Sequence, residues 1–458
     1  MLLLYLMISC FGADAISGGS QIALLSATSV CVMISIFFYG GKWSKLEDAI
    51  VDNIKASASA IIILLLIGSI SGSWMLSGVV PTLIYYGLEI LNPNIFLLAS
   101  CVICALVALL TGSSWTTIAT IGVALMGIGT ALGLKEGWVA GAIISGAYFG
   151  DKMSILSDTT VLASSCVDVP IFKHIKYMVY TSLPAFILSC IVFTIAGFAL
   201  EHSSVADVSV YSNTLHESFN ISPWLLLIPI LTGILIALKL PAIITLFLSC
   251  LFACIALLIS QPQIMSELLG VGELTGMLKF KAIVLSCYSP TEIITSSPQV
   301  TDLIATRGMS GMLNTVWLII CAMCFGGVMT GSGMLDSITK FFLKIVSGPT
   351  TSVASTLGSG IFFNICTADQ YISIILNARL FKHLYEQQGL EARLLSRSVE
   401  DSATVTSVLV PWNSCSMAQS TVLGVSAFTF LPYCVFNIAS PIISFLVVML
   451  RIKIKTKH

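Results

Sequence analysis

Two short stretches concentrate the side chains able to do chemistry. Residues 145–165, SGAYFGDKMSILSDTTVLASS, set Asp151, Lys152 and Asp158 among Ser154, Ser157, Thr159 and Thr160. Residues 400–414, EDSATVTSVLVPWNS, set Glu400 and Asp401 among Thr404, Ser407, Asn413 and Ser414. Carboxylates, hydroxyls and an amide are hard oxygen donors, suited to an alkali or alkaline-earth cation and poorly suited to a soft metal. A carboxyl that is desolvated or set beside another carboxylate also holds its proton to higher pH. One shared site that takes either a cation or a proton, never both, is a sufficient mechanism for obligatory exchange.

The two stretches read as related. Laying Asp151 on Asp401 sets Ser154 opposite Thr404, Ser157 opposite Ser407 and Ser164 opposite Ser414. Upstream of each lies a polar island, TGSSWTT at Thr111–Thr117 and NICTADQ at Asn364–Gln370, the second carrying Asp369. Thr116 precedes Asp151 by 35 residues and Thr367 precedes Asp401 by 34. Internal repeats with broken helices meeting near the midplane are the usual architecture of secondary transporters. Ser113, Ser114, Thr116 and Thr367 are therefore expected at hairpin breaks facing the carboxylates; the alternative is an ordinary tight turn between spans near the membrane surface. Lys152 is read as reaching a headgroup, with neutralisation of Asp151 as the alternative. Residues 379–397 read as a hydrated basic segment.

The elements that must position these residues are apolar helices. Of 458 residues, 57% are hydrophobic and only 9% charged, with a mean hydropathy of +0.99. Soluble domains carry about 25% charge. Uncharged runs such as 15–41, 56–88, 90–134, 177–200, 308–335 and 402–450 meet or exceed the roughly 20 residues that cross a bilayer as a helix. The fold class expected is an all-α polytopic membrane protein, with on the order of ten to twelve transmembrane helices, inverted repeats and broken or re-entrant helices. The expected divisions are an N-terminal span and interfacial helix (1–56), a first repeat (57–167), connecting spans (168–307), a second repeat (308–420), and a last span with a basic tail (421–458). In the first of these, Trp43–Lys55 carries Leu46, Ala49, Ile50 and Ile54 on one helical face, the pattern of a helix lying at the interface.

Charge placement suggests sidedness. Lys42, Lys45 and Lys55, and the tail Arg451, Lys453, Lys455 and Lys457, read as cytoplasmic, and the acidic loop 201–219 as external. The 14 cysteines, including the pairs Cys101/Cys104 and Cys321/Cys324, read as helix packing. The five histidines have no i, i+4 pair, so no zinc site and no cofactor are expected. The apolar start, residues 1–10, reads as a short first helix rather than a cleaved leader.

Three segments carry a family likeness: TGSSWTTIATIGVALMGIG (111–129), GAYFGDKMSILSDTT (146–160) and SRSVEDSATVTSVLVPWNS (396–414). They resemble the NhaC-type sodium/proton antiporter family of the ion-transporter superfamily, and the likeness runs from about Lys42 to Pro441. The resemblance implies a multi-pass plasma-membrane transporter, not an enzyme, that exports Na+ in exchange for H+. Its partners would be sodium, protons and the lipid bilayer, with a homodimer as the family expectation and no role for nucleic acid. The cation- and proton-binding positions expected are Asp151, Ser154, Ser157, Asp158, Thr159, Asp369, Glu400, Asp401, Thr404 and Asn413. The family also contains malate/lactate exchangers coupled to sodium and protons, the alternative function. Ile155 and Val408 stand where the family pattern has proline, which should loosen the helix breaks. Val161 stands where it has asparagine, removing one ligand.

Overall fold

The computed structural model describes residues 18–450 apart from 201–204, 239 and 345. The first ten residues, the start of the acidic loop and the tail from Arg451 lie outside the described residues. Every regular element among the described residues is a helix, apart from one isolated β-bridge between Thr291 and Thr306. Seven of these helices are long and apolar enough to cross a bilayer, and nine spans result if each of two sharply bent pairs counts as one. Helices of 18 and 19 residues at Glu136–Met153 and Pro349–Thr367 match them in length but carry polar residues of the candidate site.

The chain opens with α1 (Gly19–Tyr39) and α2 (Trp43–Leu76). At 34 residues α2 is about 51 Å long, against roughly 30 Å of hydrocarbon. The charged stretch Trp43–Lys55 is continuous with the span instead of forming the separate interfacial helix expected from its pattern. Its apolar stripe packs on protein: Leu46 is fully buried, Asn53 donates to the Met323 carbonyl, and Ser57 reaches the Met323 sulfur. Amphipathicity alone does not distinguish a lipid partner from a helix partner, which is why the sequence pattern misled.

After α2 come α3 (Val79–Ile90), α4 (Phe96–Thr111), α5 (Ser114–Ala131, with a π turn at Ile118–Gly122), α6 (Glu136–Met153), α7 (Asp158–Ser165) and α8 (Ile171–Ala199). A middle group follows: α9 (Val205–Ser218), α10 (Leu227–Ala237), α11 (Ala242–Ser260), α12 (Pro262–Leu269), α13 (Gly276–Tyr288) and α14 (Pro298–Ile304). The order of the first group then recurs as α15 (Leu313–Gly331), α16 (Met334–Lys344), α17 (Pro349–Thr367), α18 (Gln370–Gln387), α19 (Ala392–Val399, prolonged by a π turn at Glu400–Thr404), α20 (Ser414–Leu423), α21 (Ala427–Phe430) and α22 (Val435–Met449).

Side-chain contacts fix the directions. Helices α4 and α6 run in parallel and so close that a Cβ on Gly146 or Gly150 would strike the Cys101 or Ala105 carbonyl. Antiparallel to α6 runs α8, with Phe149 stacked on Phe186 and Trp138 edge-on to Phe193. Parallel to α8 runs α19, since His174 bonds Ser396 and Thr181 bonds Asp401. Equivalent helices α6 and α19 therefore point in opposite directions. The same contacts set sides: Val448, at the end of α22, is buried with Val167 and Tyr177, next to Lys173 at the start of α8.

Candidate cation and proton site

In the first half the chain turns between α4 and α5 at Gly112, whose φ of 67° is left-handed, a conformation that favours glycine. A Cβ there would also lie 2.6 Å from the Leu156 carbonyl carbon. Ser113 caps α5 by accepting from the Thr116 amide at 3.2 Å, and the Thr116 hydroxyl reaches the same oxygen at 3.1 Å. The amide and hydroxyl of Ser114 both donate to Asp151 Oδ2, at 3.1 and 2.7 Å. A helix N-terminus aimed at a carboxylate stabilises its negative charge. The second oxygen, Asp151 Oδ1, is buried without a partner among the described residues. Helix α6 ends three residues beyond Gly150. Ser154 Oγ accepts from the Leu156 amide at 3.2 Å, and Ser157 caps α7 through the Thr160 amide while bonding the Thr159 hydroxyl at 3.0 Å.

The second half repeats these devices. Ala368 takes the left-handed turn (φ 56°) and Asp369 caps α18, Oδ1 accepting from the Tyr371 and Ile372 amides and Oδ2 from Ser414 Oγ. Thr367 stays within the turn, its hydroxyl on the Phe363 carbonyl and Ser373 Oγ. Asn413 caps α20 by accepting from the Cys415 amide, and donates to the Asn364 carbonyl at 3.2 Å. The turn residue and the break cap are 45 residues apart in both halves, 112 to 157 and 368 to 413. Ser157 thus corresponds to Asn413, and the structural register differs by six residues from the one that lays Asp151 on Asp401. Both breaks form without proline at 155 or 408: the carbonyls freed at Ala403 and Val405 accept from the side-chain amides of Asn364 (2.7 Å) and Asn437 (2.9 Å).

The residues expected to bind ions fall into three groups. Asp369, Asn413 and Ser157 act as helix caps, as does Ser113 at the expected hairpin break. Asp401 sits in a buried charge cluster: Lys152 Nζ bonds its Oδ1, which also accepts from Thr181 and Ser440 at 3.2 Å, and Arg397 Nε lies 3.7 Å from its Oδ2. Lys152 therefore reaches neither a headgroup nor Asp151. Arg397 is not hydrated; it is fully buried against the face of Tyr177. A buried cation needs a carboxylate more than it needs proximity in sequence, and no residue spacing revealed that Lys152 and Asp401 meet across 249 positions. The third group keeps unfilled oxygens with no cation beside them, whereas the unfilled Oδ2 of Asp401 faces Arg397. Glu400 is completely buried; its Oε1 accepts from the Thr159 and Thr160 hydroxyls at 3.4 and 3.5 Å, the Thr404 hydroxyl lies beside the carboxylate, and Oε2 has no hydrogen-bond partner among the described residues. Thr404 Oγ1 and Asp151 Oδ1 share that condition. Asp158 is exposed toward open space and accepts from the Tyr371 hydroxyl at 2.7 Å, joining the first break to the second turn. The departures Ile155 and Val161 are 47% and 43% exposed, outside this network.

Two cavities border α2, one at its middle against the network and one at its C-terminal end. One, of 440 Å³, is lined by Ser113, Ser114, Asp151, Asp158 and Tyr371 and bounded by Ser59, Ala60 and Ile63 of α2. The other, also 440 Å³, is lined by Glu136, Thr130, Asp302, Arg307 and Thr421 with Ser71 and Met75 of α2. Residues 289–308, read from sequence as a mere connector, form a wall of the second cavity, pinned by the Thr291–Thr306 bridge. The first turn and the start of α18 line the first cavity directly, through Gly112, Ser113, Gln370 and Tyr371.

Residues 146–452 match the family described as the Na+/H+ antiporter family. The chain belongs to that family. It is 36% identical over 415 residues to the malate-2H+/Na+-lactate antiporter of Bacillus subtilis (strain 168), covering 90% of this chain and 85% of that protein. The Na+/H+ antiporter NhaC of the same organism is 32% identical over 424 residues, 91% of this chain and 90% of that protein. NhaC of Alkalihalophilus pseudofirmus is 34% identical over 423 residues, 91% and 88%. With family membership, the seven to nine apolar spans are those of a multi-pass membrane transporter.

Proposed function

We propose that this protein is a sodium/proton antiporter that exports Na+ in exchange for H+, with Asp151 and Glu400 as the carboxylates for which cation and proton compete. The observation that carries this reading is that both keep an unfilled, buried oxygen at the crossing of two oppositely directed helix hairpins. A buried polar atom without a partner costs about 1–3 kcal/mol, more when charged. A proton or a cation removes that cost, and either ligand excludes the other. Asp158, at the cavity wall, passes ions inward, and Ser154, Ser157, Thr159, Thr404 and neighbouring carbonyls complete the oxygen shell.

The site also bears on the alternative, a coupled carboxylate exchanger. An organic anion needs a cation or an amide donor, and Lys152, Arg397 and Asn413 were the candidates. Lys152 is held by Asp401 and Asn413 holds the Asn364 carbonyl; Arg397 lies against Tyr177, 3.7 Å from Asp401, with Nε and Nη2 lacking hydrogen-bond partners among the described residues, and it lines neither cavity. Exchange of inorganic cations is the reading the side chains favour.

The two hairpin units, 57–167 and 308–420, act as inverted repeats against the remaining spans. The protein sits in the plasma membrane with the Lys173 side, and hence the C-terminus, in the cytoplasm, and associates as a homodimer whose mass in native membranes is the test. In everted vesicles containing the protein, added NaCl should collapse a preformed pH gradient. No response to sodium, lithium or potassium contradicts the proposal, and uptake of labelled malate or lactate without inorganic exchange selects the alternative.

A further inference from the structure

Cys250 and Cys254, four residues apart on α11, meet Cys287 of α13, so that three sulfurs lie within 4.8 Å of one another. Cys287 Sγ is 3.7 Å from Cys250 Sγ and 3.5 Å from Cys254 Sγ. Metal–thiolate bonds of about 2.3 Å in a trigonal plane set sulfurs about 4 Å apart, so the thiols already stand near that spacing. Cys250 and Cys254 are buried, the Ser73 hydroxyl points at Cys250 Sγ at 3.4 Å, and no histidine or carboxylate joins the group among the described residues. Three sulfurs in apolar surroundings select soft ions over sodium or magnesium.

We propose that Cys250, Cys254 and Cys287 form a binding site for a soft d10 metal ion, which clips α11 to α13. Each sulfur that binds as thiolate releases its proton. A divalent ion displaces three protons, and a monovalent ion displaces two while the third sulfur stays a thiol; either product carries one net negative charge. No electron moves. Ala242 and Thr245 of α11 line the first cavity, and α13 leads into the 289–308 wall of the second. Occupancy therefore ties together elements bordering both cavities and slows exchange between them.

The test uses the full-length protein in detergent, with Cd2+ and Ag+ as probes. Wild type should bind one tight equivalent of Cd2+, with a thiolate-to-metal charge-transfer band and about three protons released. Cys254→Ser and Cys287→Ser should each weaken that equivalent by more than about tenfold, whereas Cys101→Ser/Cys104→Ser leaves it in place. Only variants that elute as monodisperse protein are compared, and Cys→Ala versions replace any serine variant that does not. Retention of the tight equivalent in both Cys254 and Cys287 variants overturns the site. So does loss of two thiols on air oxidation, restored by dithiothreitol, with no metal bound: that is a disulfide pair. In vesicles, Cd2+ should slow wild-type exchange at least severalfold and spare Cys287→Ser; equal slowing of both overturns the clip.

Discussion

Replacing Asp401 by asparagine tests the buried charge cluster most severely. The substitution keeps the shape and the contacts from Thr181 and Ser440 but removes the charge facing Lys152 and Arg397, all three residues being fully buried. Removing one partner of a buried ion pair costs about 3–5 kcal/mol, because the other charge is left uncompensated. At 1.36 kcal/mol per factor of ten, that is roughly two to nearly four orders of magnitude in the folded-to-unfolded ratio. Lys152→Met should cost less, since Asp401 keeps Arg397 and two hydroxyl donors. In the double variant only Arg397 is orphaned, so its cost should fall short of the sum of the single costs by about 1 kcal/mol or more. The assay is denaturant unfolding in detergent, followed by the fraction remaining monodisperse. Stability equal to wild type in Asp401→Asn, or strictly additive single costs, refutes the pairing.

Asn364→Ala and Asn437→Ala each leave a freed carbonyl of the second break unpaired, at a cost of about 1–3 kcal/mol apiece, measurable in the same unfolding assay. Gly112→Ala must strain a left-handed turn and displace Leu156; the first hairpin should repack and exchange fall, while Gly276→Ala, with nothing within 4 Å, should be silent in the vesicle assay. Because protonation of Asp151 and Glu400 removes the anionic ligands, acidification should raise the KM for sodium, approaching tenfold per pH unit for one-proton competition, with kcat little changed. A KM independent of pH across the working range contradicts competition at a carboxylate.

Much of the fold was legible because lipid imposes simple rules. Uncharged runs of 20 or more residues mark spans, and polar islands such as 111–117 and 364–370 mark the places where helices break. The local turn chemistry was also readable: Ser113, Ser157, Asp369 and Asn413 are residue types that cap helices. What could not be read was which polar residues spend their oxygens on the backbone. Asp369 and Asn413 are ligands by type, yet Asp369 takes two backbone amides and the Ser414 hydroxyl, and Asn413 takes the Cys415 amide and holds the Asn364 carbonyl. Asp151 and Asp401 align by chemical likeness, whereas the turn and cap geometry aligns Ser157 with Asn413, six residues away from that register. Lys152 was misplaced because its partner lies in the other half of the chain. Asn437, which secures the second break, stands alone in an apolar run; an amide there was the available signal.

The central claim is that sodium displaces a proton from Asp151 and Glu400. Purified protein in weak buffer, mixed with NaCl, should release protons, detected with a pH-indicating dye. Release should be lost or markedly reduced in Asp151→Asn and in Glu400→Gln, and retained in Asp369→Asn wherever that cap variant remains folded. Undiminished, sodium-specific proton release by both Asp151→Asn and Glu400→Gln contradicts it.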